Sequence, residues 1–207
     1  MKHIIFILAT ISLALAVSSC GVKQSGVTVD SHSVLPGTEV VRKGKSMTLL
    51  GNRIETGQRI PATELIDAAT MDRVNLEDYA GNVLFLSIVP SIDTKVCEEQ
   101  THLLGERGDM LPADVKRITV SRDTPFAQTR FAVDANLTDI QYLSDYKEGS
   151  FGLSTGLLVD DLRLLARAVI VIDKDGIVRY IQVVPDIGHL PDMERAFSTA
   201  RELDAEK

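Results

Sequence analysis

Residues 83–97 read VLFLSIVPSIDTKVC. The first seven are largely apolar and predict a buried β-strand, which the proline at position 90 ends. The residues from Thr94 to about Glu106 predict a helix. Cys97 therefore stands in the first turn of a helix that directly follows a strand. Amides at a helix N-terminus stabilise a thiolate, which is the reactive form of cysteine.

Strands and helices alternate on the C-terminal side of this stretch. The pattern predicts strands at residues 115–120, 140–143, 168–172 and 177–184, and helices at 125–135 and 193–203. The turn Asp173-Lys174-Asp175-Gly176 joins the last two strands as a hairpin. In the helix that carries Cys97, the residues expected on the inner side are Val96, Leu103 and Leu104. This order of elements is that of a thioredoxin-like α/β fold, a central mixed sheet flanked by helices.

The residues before position 83 predict an appendage to this fold. Two short strands, at residues 39–42 and 46–50, flank Lys43-Gly44-Lys45 and indicate a β-hairpin. A loop around Pro61 and a short apolar run at residues 65–66 follow. The sequence therefore predicts an N-terminal β-hairpin packed on the main α/β unit, and a turn at residues 79–82.

The first residues have the pattern of a bacterial export signal. A short basic start precedes an apolar stretch at residues 4–17, which is too short for a comfortable membrane span. The stretch ends in Val-Ser-Ser before Cys20, and this resembles the lipobox of bacterial lipoproteins, in which the cysteine is lipidated. The alternative is an ordinary secretory signal. We expect a signal peptide at residues 1–19, a lipid-anchored flexible linker at 20–38 and a thioredoxin-like domain at 39–207, held at the membrane of the cell envelope.

Composition narrows the possible functions. The net charge of −7 argues against nucleic acid as a partner and against electrostatic attachment to a membrane. The chain has two cysteines, so lipidation of Cys20 leaves Cys97 as a lone thiol in an oxidising compartment. The spacing of the four histidines does not resemble a metal site. We therefore expect thiol chemistry at Cys97 and no histidine-based metal site.

Three blocks of sequence resemble one family. The motif that runs from Pro90 through Thr94 to Cys97 is similar to the peroxidatic motif of peroxiredoxins, and the longer string PSIDTxVC resembles their thiol peroxidase branch. Residues 123–131 (DTPFAQTRF) and 166–173 (ARAVIVID) are similar to the same branch. The resemblance covers roughly residues 40–205. It implies a homodimeric peroxidase with a thioredoxin-like fold and no metal, haem or flavin.

The resemblance assigns roles to four residues. Cys97 is the expected nucleophile and passes through a sulfenic acid; its alternative is a buried, inert cysteine. Thr94 lies one helical turn earlier, where its hydroxyl can meet the thiolate or the peroxide, although it could simply cap the helix. Arg167 is the expected cation for thiolate and peroxide oxygens, against the commoner fate of a surface ion pair. Pro90 shields the thiolate and also ends the strand.

The sequence departs from its family at one position. Many thiol peroxidases carry a second, resolving cysteine in the helix that begins at Pro125, and here the residue after Phe131 is Ala132. We therefore expect a one-cysteine peroxidase that reduces hydrogen peroxide and organic hydroperoxides. An external thiol, either a thioredoxin-like protein or a small molecule, restores Cys97. The alternatives are a peroxide-sensing thiol relay and a catalytically degenerate lipoprotein that only binds.

Overall fold

The computed structural model describes residues 26–206. The expected signal peptide at residues 1–19 and the lipidation site Cys20 lie outside the described residues. The strands are β1 (Glu39–Arg42), β2 (Lys45–Leu50), β3 (Glu64–Asp67), β4 (Arg73–Asn75), β5 (Leu84–Ile88), β6 (Lys116–Ser121), β7 (Gln141–Ser144), β8 (Leu158–Val159), β9 (Ala168–Ile172) and β10 (Val178–Val183). The α-helices are α1 (Lys95–Glu106), α2 (Pro125–Asp134), α3 (Ser150–Thr155) and α4 (Met193–Ala205).

The main sheet has seven strands in the order β10-β9-β5-β6-β7-β3-β4. Strand β5 pairs in parallel with β6, and β6 with β7, through the crossover helices α1 and α2. The other pairings are antiparallel, which makes the sheet mixed. Strand β5 lies inside the sheet, and all five of its residues are buried. This is expected for an apolar run that is covered on both faces of the sheet.

Alternate residues of β5 point to opposite faces and separate two hydrophobic cores. Leu84, Leu86 and Ile88 belong to the core that also contains residues of the β1–β2 hairpin and of α3. Phe85 belongs to the core shared with α1, α2 and α4, where its ring stacks on Phe197 with the centroids 4.9 Å apart. The architecture is therefore the predicted one, a mixed sheet flanked by helices with an N-terminal hairpin. None of the helices between residues 26 and 206 has the length and apolar character needed to cross a membrane.

The predicted linker at residues 20–38 is wrong over its second half. The backbone of Val29 forms a bridge with Leu190, and that of Val34 forms one with Val183. The side chain of Gln182 also donates to the carbonyl oxygens of Asp30 and His32, at 2.6 and 3.0 Å. We call residues 28–34 the strap. It lies against the domain because these backbone groups are hydrogen-bonded there, although its sequence shows no periodicity.

The structure adds to the expected elements and corrects one of them. The apolar run at residues 65–66 belongs to β3, which forms with β4 an antiparallel hairpin at the sheet edge that was not predicted. Helix α3 and the two-residue strand β8 were not predicted, since both are too short to show a period. In α1 the buried positions are Cys97, Gln100, Thr101 and Leu104, whereas Val96 and Leu103 are only half-buried. The inner face of this helix therefore carries polar groups.

Candidate active site

Cys97 lies in the first turn of α1, at the carboxyl end of β5. The loop from Pro90 to Asp93 joins the two elements, as the sequence predicts. The cysteine is free and 0% exposed, and it packs with Val89 and Ile92. The thiol lies near the unpaired N–H groups of the helix N-terminus and is surrounded by apolar side chains. Because polar interactions are strong in such an environment, the few polar groups that contact the sulfur determine its reactivity.

The hydroxyl of Thr94 is directed at the sulfur. Thr94 is the N-cap residue of α1, yet its side chain makes no capping hydrogen bond. Its Oγ1 instead lies 3.0 Å from Sγ of Cys97 and 3.1 Å from the carbonyl oxygen of Ser91. Because a hydroxyl has one proton, it donates to one of these at a time and keeps lone pairs for an incoming donor.

Arg167 is the cation of the site. It is 2% exposed and starts just before β9, next to the end of β5. Its Nη2 donates to Sγ of Cys97 at 3.2 Å, its Nη1 to Oε1 of Gln100 at 2.8 Å, and its Nε to the carbonyl oxygen of Ile187 at 2.8 Å. Within the described chain, none of these partners is a carboxylate, so no fixed anion competes with the sulfur for the guanidinium.

Gln100 holds the guanidinium in this orientation. It lies one turn after Cys97 on the buried face of α1 and is 0% exposed. Its Nε2 donates to Oγ of Ser87 at 2.9 Å and to the carbonyl oxygen of Ala168 at 3.2 Å, which leaves Oε1 directed at Arg167. Sequence reasoning missed this residue, although a glutamine three positions after the nucleophile, on the same helical face, is a signal that could have found it.

Asp123 fixes the loop that precedes Cys97. Its Oδ1 accepts from the hydroxyl of Ser91 at 2.8 Å, and its Oδ2 accepts from the backbone N–H of Ile92 at 2.8 Å. The carboxylate therefore ties the start of the second family-like block to the motif loop. Sequence reasoning did not assign it this role, because the two segments are far apart along the chain.

A pocket of about 400 Å³ opens beside the two side chains that contact the sulfur, Thr94 and Arg167. Its other lining residues are Arg42, Lys43, Pro90, Ser91, Val96, Leu162, Leu164, Asp186, Ile187, Gly188 and His189. This volume suits a small molecule. Pro90 lines the same pocket as Thr94 and Arg167, which is compatible with its expected shielding role.

The strap reaches the wall of this pocket. Nδ1 of His189 is buried without a hydrogen-bond partner and lies 3.7 Å from Oδ2 of Asp30. The backbone N–H of His32, followed by its side chain, holds the pKa of Asp30 below its ordinary value and outweighs the opposing effect of burial. Asp30 is therefore a carboxylate at neutral pH and supplies a fixed negative charge behind His189.

The structure brings together all four residues expected at the site. Cys97, Thr94 and Arg167 meet at hydrogen-bond distance, and Pro90 lines the same pocket. Among residues 26–206 Cys97 is the only cysteine, and Ala132, which stands where the resemblance led us to look for a second thiol, is buried. In that same range no cluster of histidine, cysteine or carboxylate side chains is arranged to hold a metal. The arrangement can bind and reduce a small electrophile at sulfur.

The chain is similar to proteins named thiol peroxidases and to a solved peroxiredoxin-like protein. The model of the Redoxin family matches residues 55–197. A thiol peroxidase of Halalkalibacterium halodurans is 42% identical over 159 residues, which cover 77% of this chain and 95% of that protein. A thiol peroxidase of Staphylococcus saprophyticus is 39% identical over 165 residues, 80% of this chain and 99% of the relative. A solved peroxiredoxin-like protein of Aquifex aeolicus superposes with a TM-score of 0.75 at 32% identity, covering 84% of this chain and 99% of its own.

Proposed function

The chain belongs to the redoxin family, as a thiol-dependent peroxidase of the peroxiredoxin type, and from this premise we propose that Cys97 carries the reaction alone and is restored by an external thiol. The observation that carries the proposal is the convergence of Arg167 and Thr94 on one buried sulfur, at 3.2 and 3.0 Å. A guanidinium and a hydroxyl at these distances stabilise a thiolate without adding a competing negative charge.

The first half-reaction oxidises the sulfur. The thiolate of Cys97 attacks the terminal oxygen of the hydroperoxide, the S–O bond forms and the O–O bond breaks. Both electrons of the O–O bond leave with the second oxygen, which takes a proton and departs as water or an alcohol. Arg167 donates to the oxygens while charge moves from sulfur to the leaving group, and this is where a fixed cation contributes most to the rate. Cys97 is left as a sulfenic acid.

The second half-reaction needs a thiol from outside. A thiolate attacks the sulfur of the sulfenic acid, the S–O bond breaks and water leaves, which gives a mixed disulfide. A second thiol then displaces Cys97. Support for an external reductant comes from Ala132, which stands where the family resemblance implies a second cysteine, and from the lack of another thiol within residues 26–206.

A trapping experiment tests the proposal. One equivalent of hydrogen peroxide should convert Cys97 to a sulfenic acid that reacts with dimedone, and the adduct is read by mass spectrometry of the peptide. Consumption of peroxide with dithiothreitol should be rapid and should be lost in Cys97→Ser. If Cys97 is still an unmodified thiol after peroxide treatment, the peroxidase mechanism is wrong. Slow turnover with retained oxidation would favour a sensor instead.

We propose that the protein is located at the membrane of the cell envelope. Support comes from the export-signal pattern of residues 1–19 and from Cys20 in lipobox register. Metabolic labelling with a fatty acid should mark the chain, and Cys20→Ser should abolish the label. A labelled Cys20→Ser protein would overturn the assignment. A homodimer rests on the family resemblance alone, and sedimentation equilibrium tests it.

A further inference from the structure

One polar residue interrupts the apolar strand that leads to the active site. Strand β5 reads LFLSI, and Ser87 is the only residue in it with a polar side chain. Ser87 is 0% exposed and lies on the same face as Phe85, the face that α1, α2 and α4 cover. A buried hydroxyl costs free energy unless it is hydrogen-bonded, and an alanine would fill nearly the same space without that cost. The serine hydroxyl therefore needs a partner on the helical side of the sheet.

That partner is the amide of Gln100. Its Nε2 donates to Oγ of Ser87 at 2.9 Å and to the carbonyl oxygen of Ala168 at 3.2 Å, while the carbonyl oxygen of Ile88 lies further away, at 3.4 Å. An amide NH2 group has two protons, so Ser87 and Ala168 take one each. Because a carbonyl oxygen can only accept, the nitrogen of the amide must face the sheet and Oε1 must face away from it.

The orientation of this amide determines where the guanidinium of Arg167 lies. Oε1 of Gln100 accepts from Nη1 at 2.8 Å, and Nη2 of the same planar group donates to Sγ of Cys97 at 3.2 Å. Because the guanidinium is rigid, a movement of Oε1 is passed on to the nitrogen that contacts the sulfur. The reverse orientation of the amide would set its NH2 group against Nη1, and two donors cannot bond to each other. The position of the catalytic cation therefore depends on what holds Nε2.

We propose that Ser87 is a positioning residue for the reaction at Cys97, which its hydroxyl influences through Gln100 and Arg167. This inference rests on the proposed function. Ser87 does not line the pocket beside Arg167, so it acts on the sulfur indirectly. Without the hydroxyl, the nearest remaining acceptor for its amide proton is the carbonyl oxygen of Ile88, at 3.4 Å. The amide must turn to reach this oxygen, and Oε1, on the same planar group, turns with it.

Thr119 in the next strand offers a matched control. It is paired with Ser87 in the parallel register of β5 and β6, so the two side chains lie next to each other on one face of the sheet. Thr119 is also 0% exposed, but within residues 26–206 its Oγ1 is buried without a hydrogen-bond partner. The removal of either hydroxyl therefore changes the same layer of the core, whereas only the hydroxyl of Ser87 is bonded to the active site.

Oxidation of Cys97 by hydrogen peroxide, followed by stopped flow at several pH values, tests the proposal in the full-length protein. We expect Ser87→Ala to slow the oxidation about threefold to tenfold at neutral pH, which corresponds to a weakened hydrogen bond of a charged group. The rate should also reach its maximum at a higher pH, because a displaced guanidinium stabilises the thiolate less. Thr119→Val should stay within about twofold of the wild type and keep its pH profile. Thermal unfolding checks that both variants are folded.

A double variant shows whether Ser87 acts through Gln100. Because the amide is the link, Ser87→Ala should have no further effect on the rate in a protein that already carries Gln100→Leu. Independent action would instead give the product of the two single effects. The NMR signals of the Gln100 side-chain NH2 group supply a second measurement that needs only the single variant. In Ser87→Ala one of the two proton resonances should shift to the position of a weaker hydrogen bond, and the other should change little.

Other outcomes would overturn the inference. Equal effects of Ser87→Ala and Thr119→Val on the rate would indicate a general change of core packing, and multiplicative effects in the double variant would separate Ser87 from Gln100. Slower oxidation with an unchanged pH profile and unchanged Gln100 signals would show that the guanidinium has not moved. If hydrogen peroxide fails to oxidise Cys97 in the wild type, the proposed function is wrong. Normal oxidation of the wild type with an equal rate in Ser87→Ala refutes this inference alone.

Discussion

Thr94 occupies the N-cap position of α1, but its hydroxyl contacts the reactive sulfur and does not cap the helix. A threonine at an N-cap normally stabilises the helix by about 1 kcal/mol through its side chain. Here the hydroxyl makes no capping bond and lies 3.0 Å from Sγ of Cys97. We expect Thr94→Val to lower the rate of peroxide reduction about tenfold to a hundredfold, as befits the loss of a hydrogen bond to a charged group, and to change thermal stability little. Stopped-flow oxidation and thermal unfolding measure the two effects.

Thr94→Ser is the matched control because it keeps the hydroxyl. It should retain most of the rate, with a loss of no more than about threefold from the greater rotamer freedom of serine. A large drop in melting temperature for Thr94→Val, with the rate reduced in proportion to the folded fraction, would show that the residue acts as a cap after all.

Arg167 is expected to tolerate no replacement, including lysine. Its three nitrogens meet three acceptors in different directions: the sulfur, Gln100 and the Ile187 carbonyl oxygen. An ammonium group keeps the charge but cannot hold this planar fork. We expect Arg167→Lys to slow oxidation of Cys97 by about a hundredfold or more. Gln100→Leu, which leaves the cation but removes its orienting partner, should cost less, about tenfold. Equal rates for Arg167→Lys and the wild type would show that charge alone suffices.

Among single elements, the β9–β10 hairpin gives a prediction about pH. Burial opposes ionisation of Asp173, but the N–H of Ile177, the guanidinium of Arg179 and the N–H of Asp175 outweigh it and hold the pKa of Asp173 below its ordinary 3.8. The group therefore stabilises the fold fully above that ordinary value, and the contribution is lost as the pH falls through the lower folded-state pKa. We expect Asp173→Asn to reduce the free energy of unfolding by about 1 kcal/mol at pH 7.

The pH dependence of the stability difference between the wild type and Asp173→Asn shows whether the effect comes from the charge of Asp173. Urea unfolding of the wild type and Asp173→Asn should give curves that differ at pH 7 and approach each other below about pH 4. Asp175→Asn, at an exposed position in the same turn, is the control and should be close to the wild type at both values. A difference that persists unchanged at low pH would assign the effect to the shape of the side chain and not to its charge.

The elements also show how far the sequence could lead. Strand β5, α1 and the β9–β10 hairpin were predictable because each has either a long run of patterned residues or a distinct turn sequence. Helix α3 was not, because its six residues lie between Gly149 and Gly156, both left-handed, and span less than two turns. At the site, Thr94 and Arg167 followed from the resemblance. The role of Gln100 was not predicted because it depends on Arg167, 67 positions away in the chain, and only the fold brings the two side chains to 2.8 Å.

At the scale of the whole molecule, the strap places the active site close to the proposed anchor. The strap begins at Thr28, eight residues after Cys20. A fully extended chain of that length reaches at most about 28 Å, so a lipidated protein keeps its domain near the membrane surface. The strap itself is bonded to the loop that bears His189 and Leu190, on the wall of the pocket. Any tension on the tether is therefore applied next to the catalytic loop.

Gln182 joins the strap to this loop and allows the coupling to be tested. It is 2% exposed; its Nε2 donates to the carbonyl oxygens of Asp30 and His32, and its Oε1 accepts from the N–H of Asp192. Gln182→Leu removes the partner of three partly buried backbone groups, which should lower the free energy of unfolding by about 1 kcal/mol. Because the same loop supplies the Ile187 carbonyl oxygen to Arg167, oxidation of Cys97 should also slow, by about threefold to tenfold.

Hydrogen exchange distinguishes release of the strap from general loosening. In Gln182→Leu the amides of Asp30, Val34 and Leu190, all bonded across the strap, should lose protection together, while those of β5 and β6 keep theirs. Gln141→Leu is the matched control, since Gln141 lies in β7, in the other half of the sheet, and bonds Asp67 and Tyr79. It should destabilise the fold without affecting the strap or the rate at Cys97. Retained protection at Leu190 in Gln182→Leu, with an unchanged oxidation rate, would mean that the strap is held by its backbone bonds alone and does not support the active site.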